Sequence, residues 1–233
     1  KPMSILGGSI LAVFLATAGF VLAHVIMSHP LRPAMVKALG EKAFGGVYSI
    51  VVVLFFVWML YAYSRAPYVA LWGDPIWARH LLLLIMIPAV ILFVLSVTAP
   101  NPTMGPQGAE KLMAGTATGA ITRHPMLWAF SLWALGHMIA NGDAATVILT
   151  GGILLLALGG AGGIDWKKRK ALGPAYAAYM ARTSFVPFAA VIGGRARLDW
   201  KAIGLWRIAL GIAVYFAILF SHGFIIGRSA LPM

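Results

Sequence analysis

Long apolar runs separated by short polar breaks set the pattern of this chain. A helix needs about 20 mostly apolar residues to cross a bilayer. Runs of that kind predict transmembrane helices over about residues 4–28, 44–64, 80–98, 125–140, 144–164 and 203–226. The fourth is short, and Gly115 to Ile121 offers an extension of it across Arg123. The first run is too long for a signal-peptide core, and no small-residue cleavage pattern follows it, so it predicts a retained helix. The expected fold is all-α: one membrane domain over residues 1–233, an integral bundle of about six transmembrane helices.

The breaks differ in character. Pro100-Asn101-Pro102-Thr103-Met104-Gly105-Pro106 predicts an irregular loop. Asn141-Gly142-Asp143 predicts a tight turn, which makes the fourth and fifth helices an antiparallel hairpin. Residues 165–201 form the one long polar stretch. Gly159 and Gly163 make a small-xxx-small pair that predicts close helix packing. Trp72, Trp77, Trp166, Trp200 and Trp206 fall near predicted helix ends, where a membrane interface favours Trp.

Composition supports the bilayer as main solvent. Of 233 residues, 61% are hydrophobic and 10% charged, against about 25% charged in soluble proteins. The 18 Lys and Arg against six Asp and Glu give a formal charge of +12. With the N-terminus outside, thirteen of those cations fall in the first, third and fifth loops, eight of them between Lys167 and Lys201. Basic loops stay cytoplasmic. The pattern predicts both termini outside and a cytoplasmic basic loop at 165–201, with lipids as the main partners. No polar segment is long enough for a nucleic-acid reader domain. The chain has no cysteine, which excludes disulfides, thiolate metal sites and a Cys nucleophile.

Ionisable groups at membrane depth are candidates for function. Three histidines qualify: His24 in the first helix, His124 beside the fourth and His137 within it. Imidazoles from neighbouring helices commonly hold a haem iron, and zinc lacks a further ligand here. His29, His80 and His222 fall in a turn or near helix ends. Arg123-His124-Pro125 opens the fourth helix, where free N–H groups and a fixed charge suit an anion or a cofactor carboxylate. Equally, Arg123 can simply snorkel. Asp165 closes the fifth helix ahead of Trp166-Lys167-Lys168-Arg169-Lys170, and a carboxylate there can meet Arg123.

Several segments in order resemble the NnrU family of bacterial membrane proteins. They are Leu39-Gly40-Glu41-Lys42-Ala43-Phe44, Thr122-Arg123-His124-Pro125, Trp133 to His137, Asn141-Gly142-Asp143, Asp165 to Arg169, Thr183-Ser184-Phe185-Val186-Pro187-Phe188 and Gly194-Arg195. The resemblance runs from His24 to about Arg195. It implies a link to nitrogen-oxide metabolism in denitrifying bacteria. The same motifs are similar to those of the 15-cis-zeta-carotene isomerase family, which implies haem b held by two histidines. The matching positions are His24 and His137, with Ala134 in place of that family's Cys. Helical rise puts His137 roughly 20 Å deeper than His124. Resemblance therefore points to His24 with His137 and depth to His24 with His124. A tilted or re-entrant fourth helix is the third arrangement. Arg123 would meet a haem propionate.

A weaker resemblance is to isoprenylcysteine and phospholipid methyltransferases. It rests on Arg123-His124-Pro125 and on Gly173-Pro174-Ala175-Tyr176-Ala177-Ala178-Tyr179. It implies S-adenosylmethionine binding by Arg123, His124 and an acidic pair, of which only Asp165 is present. Four functions follow as expectations: a haem-binding NnrU-type protein, a haem-dependent isomerase of a polyene, a membrane methyltransferase, and a non-catalytic subunit of a membrane complex. A hydrophobic small molecule or other membrane subunits would be the partners.

Overall fold

A computed structural model describes residues 5–103 and 111–231. Residues 1–4, with the predicted start of the first helix, lie outside it, as do Met104, Gly105 and Pro106 of the Pro/Gly loop. The chain is mostly helical and divides into two compact units. Among the described residues, five helices are long and apolar enough to cross a membrane: Ile10–Ser28, Glu41–Ser64, Ile76–Thr98, Ala144–Leu172 and Leu205–Ile226. The expected fourth span is present as a helix over Pro125–Ala140, but its 16 residues fall short of a full crossing.

The first unit holds residues 1–75 and 137–156. Helix α1 (Ile10–Ser28) starts at Ser9, whose hydroxyl accepts from the Ala12 N–H at 3.1 Å. A short α2 (Arg32–Leu39) leads to Gly40, at φ 79°, and α3 (Glu41–Ser64) returns antiparallel to α1. Small residues let the two helices approach: the Phe55 ring occupies the space a Cβ on Gly19 would need. Trp58 Nε1 donates to the Leu6 carbonyl at the far end. At the near end Arg32 pairs with Glu41 and lies 5.5 Å above the Phe44 ring.

The all-α expectation needs one amendment. Strand β1 (Ala70–Gly73) pairs antiparallel with β2 (Gly142–Asp143). The predicted Asn-Gly-Asp turn thus also closes a ladder, and Trp72 covers the face of Gly142 and donates to the Ile139 carbonyl. Asp143 then caps the next helix, its Oδ1 accepting from the N–H groups of Ala145 and Thr146 at 3.1 Å. In this unit Thr17 packs on Gly152, and Tyr63 and Thr146 share a hydrogen bond of 2.9 Å.

The second unit holds residues 76–136 and 157–233. Helix α4 (Ile76–Thr98) packs on the C-terminal helix α11 (Leu205–Ile226). The contact is close at Gly211, which faces the backbone of Ile91, and is tied by Tyr215 Oη to the Leu83 carbonyl and by Arg207 Nε to the Thr98 carbonyl, each at 3.2 Å. Between them in sequence come a 3-10 turn (Met113–Gly115), α5 (Thr116–Ile121), α6 (Pro125–Ala140), α7 (Ala144–Leu172), α8 (Pro174–Ala181), α9 (Ala189–Ile192) and α10 (Trp200–Ile203). A buried core joins Leu92, Leu95, Ile121, Ala129 and Ile203.

Two boundaries differ from the sequence reading for physical reasons. Gly115 to Ile121 does not extend α6. Thr122 is extended (φ −158°, ψ 142°), and Pro125 disfavours helix at the residue before it. Asp165 does not end its helix. The Lys167–Lys170 segment continues α7 to Leu172, as long-chain cations do well in a helix and favour its C-terminal end. Gly173, at φ 52°, then breaks the chain into α8. Gly159 is exposed and faces open space, so that member of the predicted pair makes no close contact, whereas Gly152 packs tightly on Thr17.

Candidate functional site

The loop between α5 and α6 is built like an edge strand inserted against residues 183–188. The Arg123 N–H donates to the Ser184 carbonyl at 2.9 Å, the Ser184 N–H to Gly119 at 2.8 Å and the Phe188 N–H to Ile121 at 2.7 Å. Thr122 Oγ1 and Trp128 Nε1 both donate to the Phe185 carbonyl. Gly119 permits the approach, because a Cβ there would meet Thr183 Cγ2 at 2.6 Å. Phe188 holds a left-handed φ of 64° to complete the turn into α9. This loop delivers Arg123 and His124 side by side into the second unit.

Asp165 receives them. Arg123 Nη2 donates to Oδ2 at 2.6 Å, and its Nε lies 2.9 Å from Oδ2 and 3.1 Å from Oδ1. His124 Nε2–H donates to Oδ1 at 2.8 Å, and Tyr176 Oη to the same oxygen at 2.7 Å. All four are buried: Arg123 is 6% exposed, Asp165 7%, His124 1% and Tyr176 0%. The Phe185 ring lies 5.3 Å from the Arg123 guanidinium, a favourable cation–π distance. A buried charge requires this much pairing. Burial pushes the Tyr176 hydroxyl well above the usual phenol range, and the Asp165 carboxylate pushes it further. Burial also raises Tyr179.

The cluster is closed on itself. The Asp165 carboxylate accepts from three side chains, and the Arg123 guanidinium adds only a 3.4 Å contact from Nη1 to the Thr183 carbonyl. Two buried atoms, His124 Nδ1 and Tyr179 Oη, have no hydrogen-bond partner among the described residues. So the structure brings Arg123, His124 and Asp165 together as the sequence suggested, and adds Tyr176. Tyr176 and Tyr179 stand three apart on α8, the spacing that puts two hydroxyls on one helical face. That signal was in the sequence, within the Gly-x-x-Tyr-x-x-Tyr segment.

His24 belongs to the first unit. Its Nδ1–H donates to the Phe20 carbonyl at 2.9 Å. The ring packs edge-on against Phe20 at 4.5 Å and Tyr48 at 5.8 Å. That hydrogen bond fixes the tautomer in which Nε2 carries the lone pair, the arrangement that orients a metal-ligating imidazole. His137, in the same unit, lies in the last turn of α6, where its carbonyl accepts from Asn141. Its neighbour Met138 reaches Gly151, while Thr17, seven residues before His24, packs on Gly152. The two rings therefore differ in level by two to four helical turns, on the order of 10–20 Å. Two imidazole nitrogens on one metal stand only about 4 Å apart.

Of these groups, the His24 Nε2 lone pair would be the one to hold a haem iron, and His24 and His137 stand at different levels. His124 has its Nε2 committed to Asp165. Among the described residues no group of three or more His, Cys, Asp or Glu is placed to hold a metal ion.

These features define a multi-pass helical membrane protein with a buried ionic cluster around Asp165. The sequence model of the NnrU family, described as NnrU protein, matches residues 12–230, and the chain belongs to that family. It is also similar to two plant proteins named 15-cis-zeta-carotene isomerase, chloroplastic. That of Zea mays is 36% identical over 78 residues, covering 34% of this chain and 21% of the plant protein. That of Arabidopsis thaliana is 32% identical over 108 residues, covering 42% and 28%. The chain thus spans between a fifth and a third of the length of these curated relatives. No solved structure matches it.

Proposed function

We propose that this NnrU-family protein binds haem b in the membrane through His24 and serves nitrogen-oxide metabolism in a bacterial inner membrane. The observation that carries the reading is the His24 ring: Nδ1–H is held by the Phe20 carbonyl, and Nε2 keeps its lone pair between aromatic rings. Haem there would supply a redox-active iron. The protein's own part is to fix the imidazole and exclude water with Phe20, Phe44 and Tyr48. Six crossings with both termini outside belong to this reading. It counts α6 with its 16 residues as a tilted or partial span and puts the basic 165–201 segment in the cytoplasm.

The visible spectrum of the detergent-purified protein, oxidised and then reduced, tests it. A Soret band lost in His24→Ala is the expected result. A featureless spectrum after expression with ample haem overturns it. The same spectrum for His137→Ala and His124→Ala identifies any second ligand.

A second reading, isomerisation of a polyene, is favoured by the similarity to the two plant isomerases. Co-expression with a cis-carotene tests it, and unchanged isomer ratios with haem loaded refute it. A methyltransferase reading would need Arg123, His124 and Asp165, which bond to one another here, to turn to S-adenosylmethionine instead.

A further inference from the structure

The second unit has a cleft of about 330 Å³ lined by Thr116, Ala117 and Ala120 of α5, by Arg182, and by Arg195, Arg197 and Asp199 ahead of α10. Three arginines and one carboxylate are among the residues that line it. That carboxylate is engaged elsewhere, since Asp199 Oδ1 accepts from the Ala202 N–H at 3.0 Å and caps α10. Arg195 is fixed by donating to the Ala181 carbonyl at 2.9 Å. The side chains of Arg182 and Arg197 are exposed and make no hydrogen bond or ion pair with a described residue. Two uncommitted cations beside a third, pre-oriented one, around a cavity of this size, form a receptor for a multiply coordinated oxyanion.

Its place in the fold says which oxyanion. Ala202 of the cleft wall is three residues from Leu205, where the apolar helix α11 begins. Trp200, Leu205 and Trp206 are exposed around that start. Exposed Trp at the end of an apolar helix marks the headgroup level of a bilayer. We infer that the cleft binds the phosphate of an anionic phospholipid headgroup, held by Arg182, Arg195 and Arg197. Like the function proposed above, this rests on the membrane reading of the chain. It does not depend on haem, since none of the residues assigned to haem binding lines the cleft.

The test uses the full chain in an uncharged detergent at constant ionic strength. Melting is followed while short-chain phosphatidylglycerol, short-chain phosphatidylcholine or inorganic phosphate is added. Phosphatidylglycerol is expected to raise the melting temperature saturably, and phosphatidylcholine is not. In the Arg182→Gln/Arg197→Gln variant the half-saturating concentration should rise about thirty-fold, from about a factor of five for each charge lost at a membrane surface. Removing two charges elsewhere, in Lys37→Gln/Lys42→Gln, should leave it near the parent value. Equal effects of the two lipids, or a double variant that responds like the parent, overturn the inference. Inorganic phosphate as effective as phosphatidylglycerol overturns the lipid assignment in favour of a soluble phosphate. Native mass spectrometry of the unsubstituted protein is a second measurement that no folding defect can confound. Retained phosphatidylglycerol from an equal mixture of the two lipids supports the site, and retention without preference overturns it.

Discussion

Replacing Asp165 by Asn isolates the ionic cluster with little change of shape. The wild-type carboxylate accepts from Arg123, His124 and Tyr176 at distances between 2.6 and 3.1 Å. An amide offers one oxygen where two worked and turns an NH2 group toward the guanidinium. Arg123, only 6% exposed, is left as an uncompensated buried charge. Losing one partner of a buried pair costs about 3–5 kcal/mol. At about 2–4 °C per kcal/mol for a chain of this size, the melting temperature should fall by roughly 6–20 °C. The assay is loss of the monodisperse peak after heating in detergent, at one fixed heating rate because unfolding of such proteins is often irreversible. Arg123→Leu/Asp165→Leu should recover much of the loss, because an apolar pair of similar volume leaves no charge stranded. If Asp165→Asn melts within about 2 °C of the parent, the cluster does not hold this unit together, and its groups regain standing as a ligand site.

Glycines of α7 should separate by their surroundings. Gly152→Ala drives a Cβ into Thr17 Cγ2, which is buried, and should lower stability by about 1–3 kcal/mol. Gly159→Ala meets open space and should be neutral or gain up to about 1 kcal/mol of helix propensity. Equal melting temperatures for the two would contradict this packing. Alkaline titration of tyrosinate absorbance reads the other buried groups. Tyr176 and Tyr179 are raised by burial. A raised phenol contributes stability that is fully present below the unfolded value near pH 10 and is lost as pH rises through the folded value. At least two of the seven tyrosines should therefore stay neutral at about pH 11 until the protein unfolds. All seven titrating together in the folded state would refute that.

Helices with strong apolar runs were legible because the bilayer imposes length and composition on them. Pro125 marked the start of α6 and Asn141 its end to the residue, since Pro and the Asn-Gly-Asp turn act locally. The boundary at Asp165 was not legible. Polar residues after an apolar run end the hydrophobic signal, while backbone hydrogen bonding runs on to Leu172. The two short strands were equally hidden, because their pairing joins residues about 70 apart. For the site, Arg123 with Asp165 could be read from charge alone, as two opposite charges near helix ends in an apolar chain must find partners. Tyr176 could not be assigned as Asp165's partner until α8 was seen to fold back beside α7. Gly159 misled because small residues mark close packing only when they face a neighbour.

The Arg-His-Pro motif has a structural explanation that precedes any catalytic one. Pro125 starts α6, His124 and Arg123 are brought in by hydrogen bonds to residues 183–188, and both side chains are held by one carboxylate on α7. A chain with such a loop needs those residue types whatever it binds. His24 is different. Its hydrogen bond to Phe20 lies within one helix, and its ring contact with Tyr48 of α3 calls for an aromatic ring but not for an imidazole. A half-buried imidazole among apolar and aromatic side chains, with an open lone pair, is costly unless something coordinates it. His24→Phe should thus leave stability unchanged or raise it while abolishing haem binding. A His24→Phe protein that loses stability and keeps its Soret band would show the reverse: a structural His24 and an iron held elsewhere.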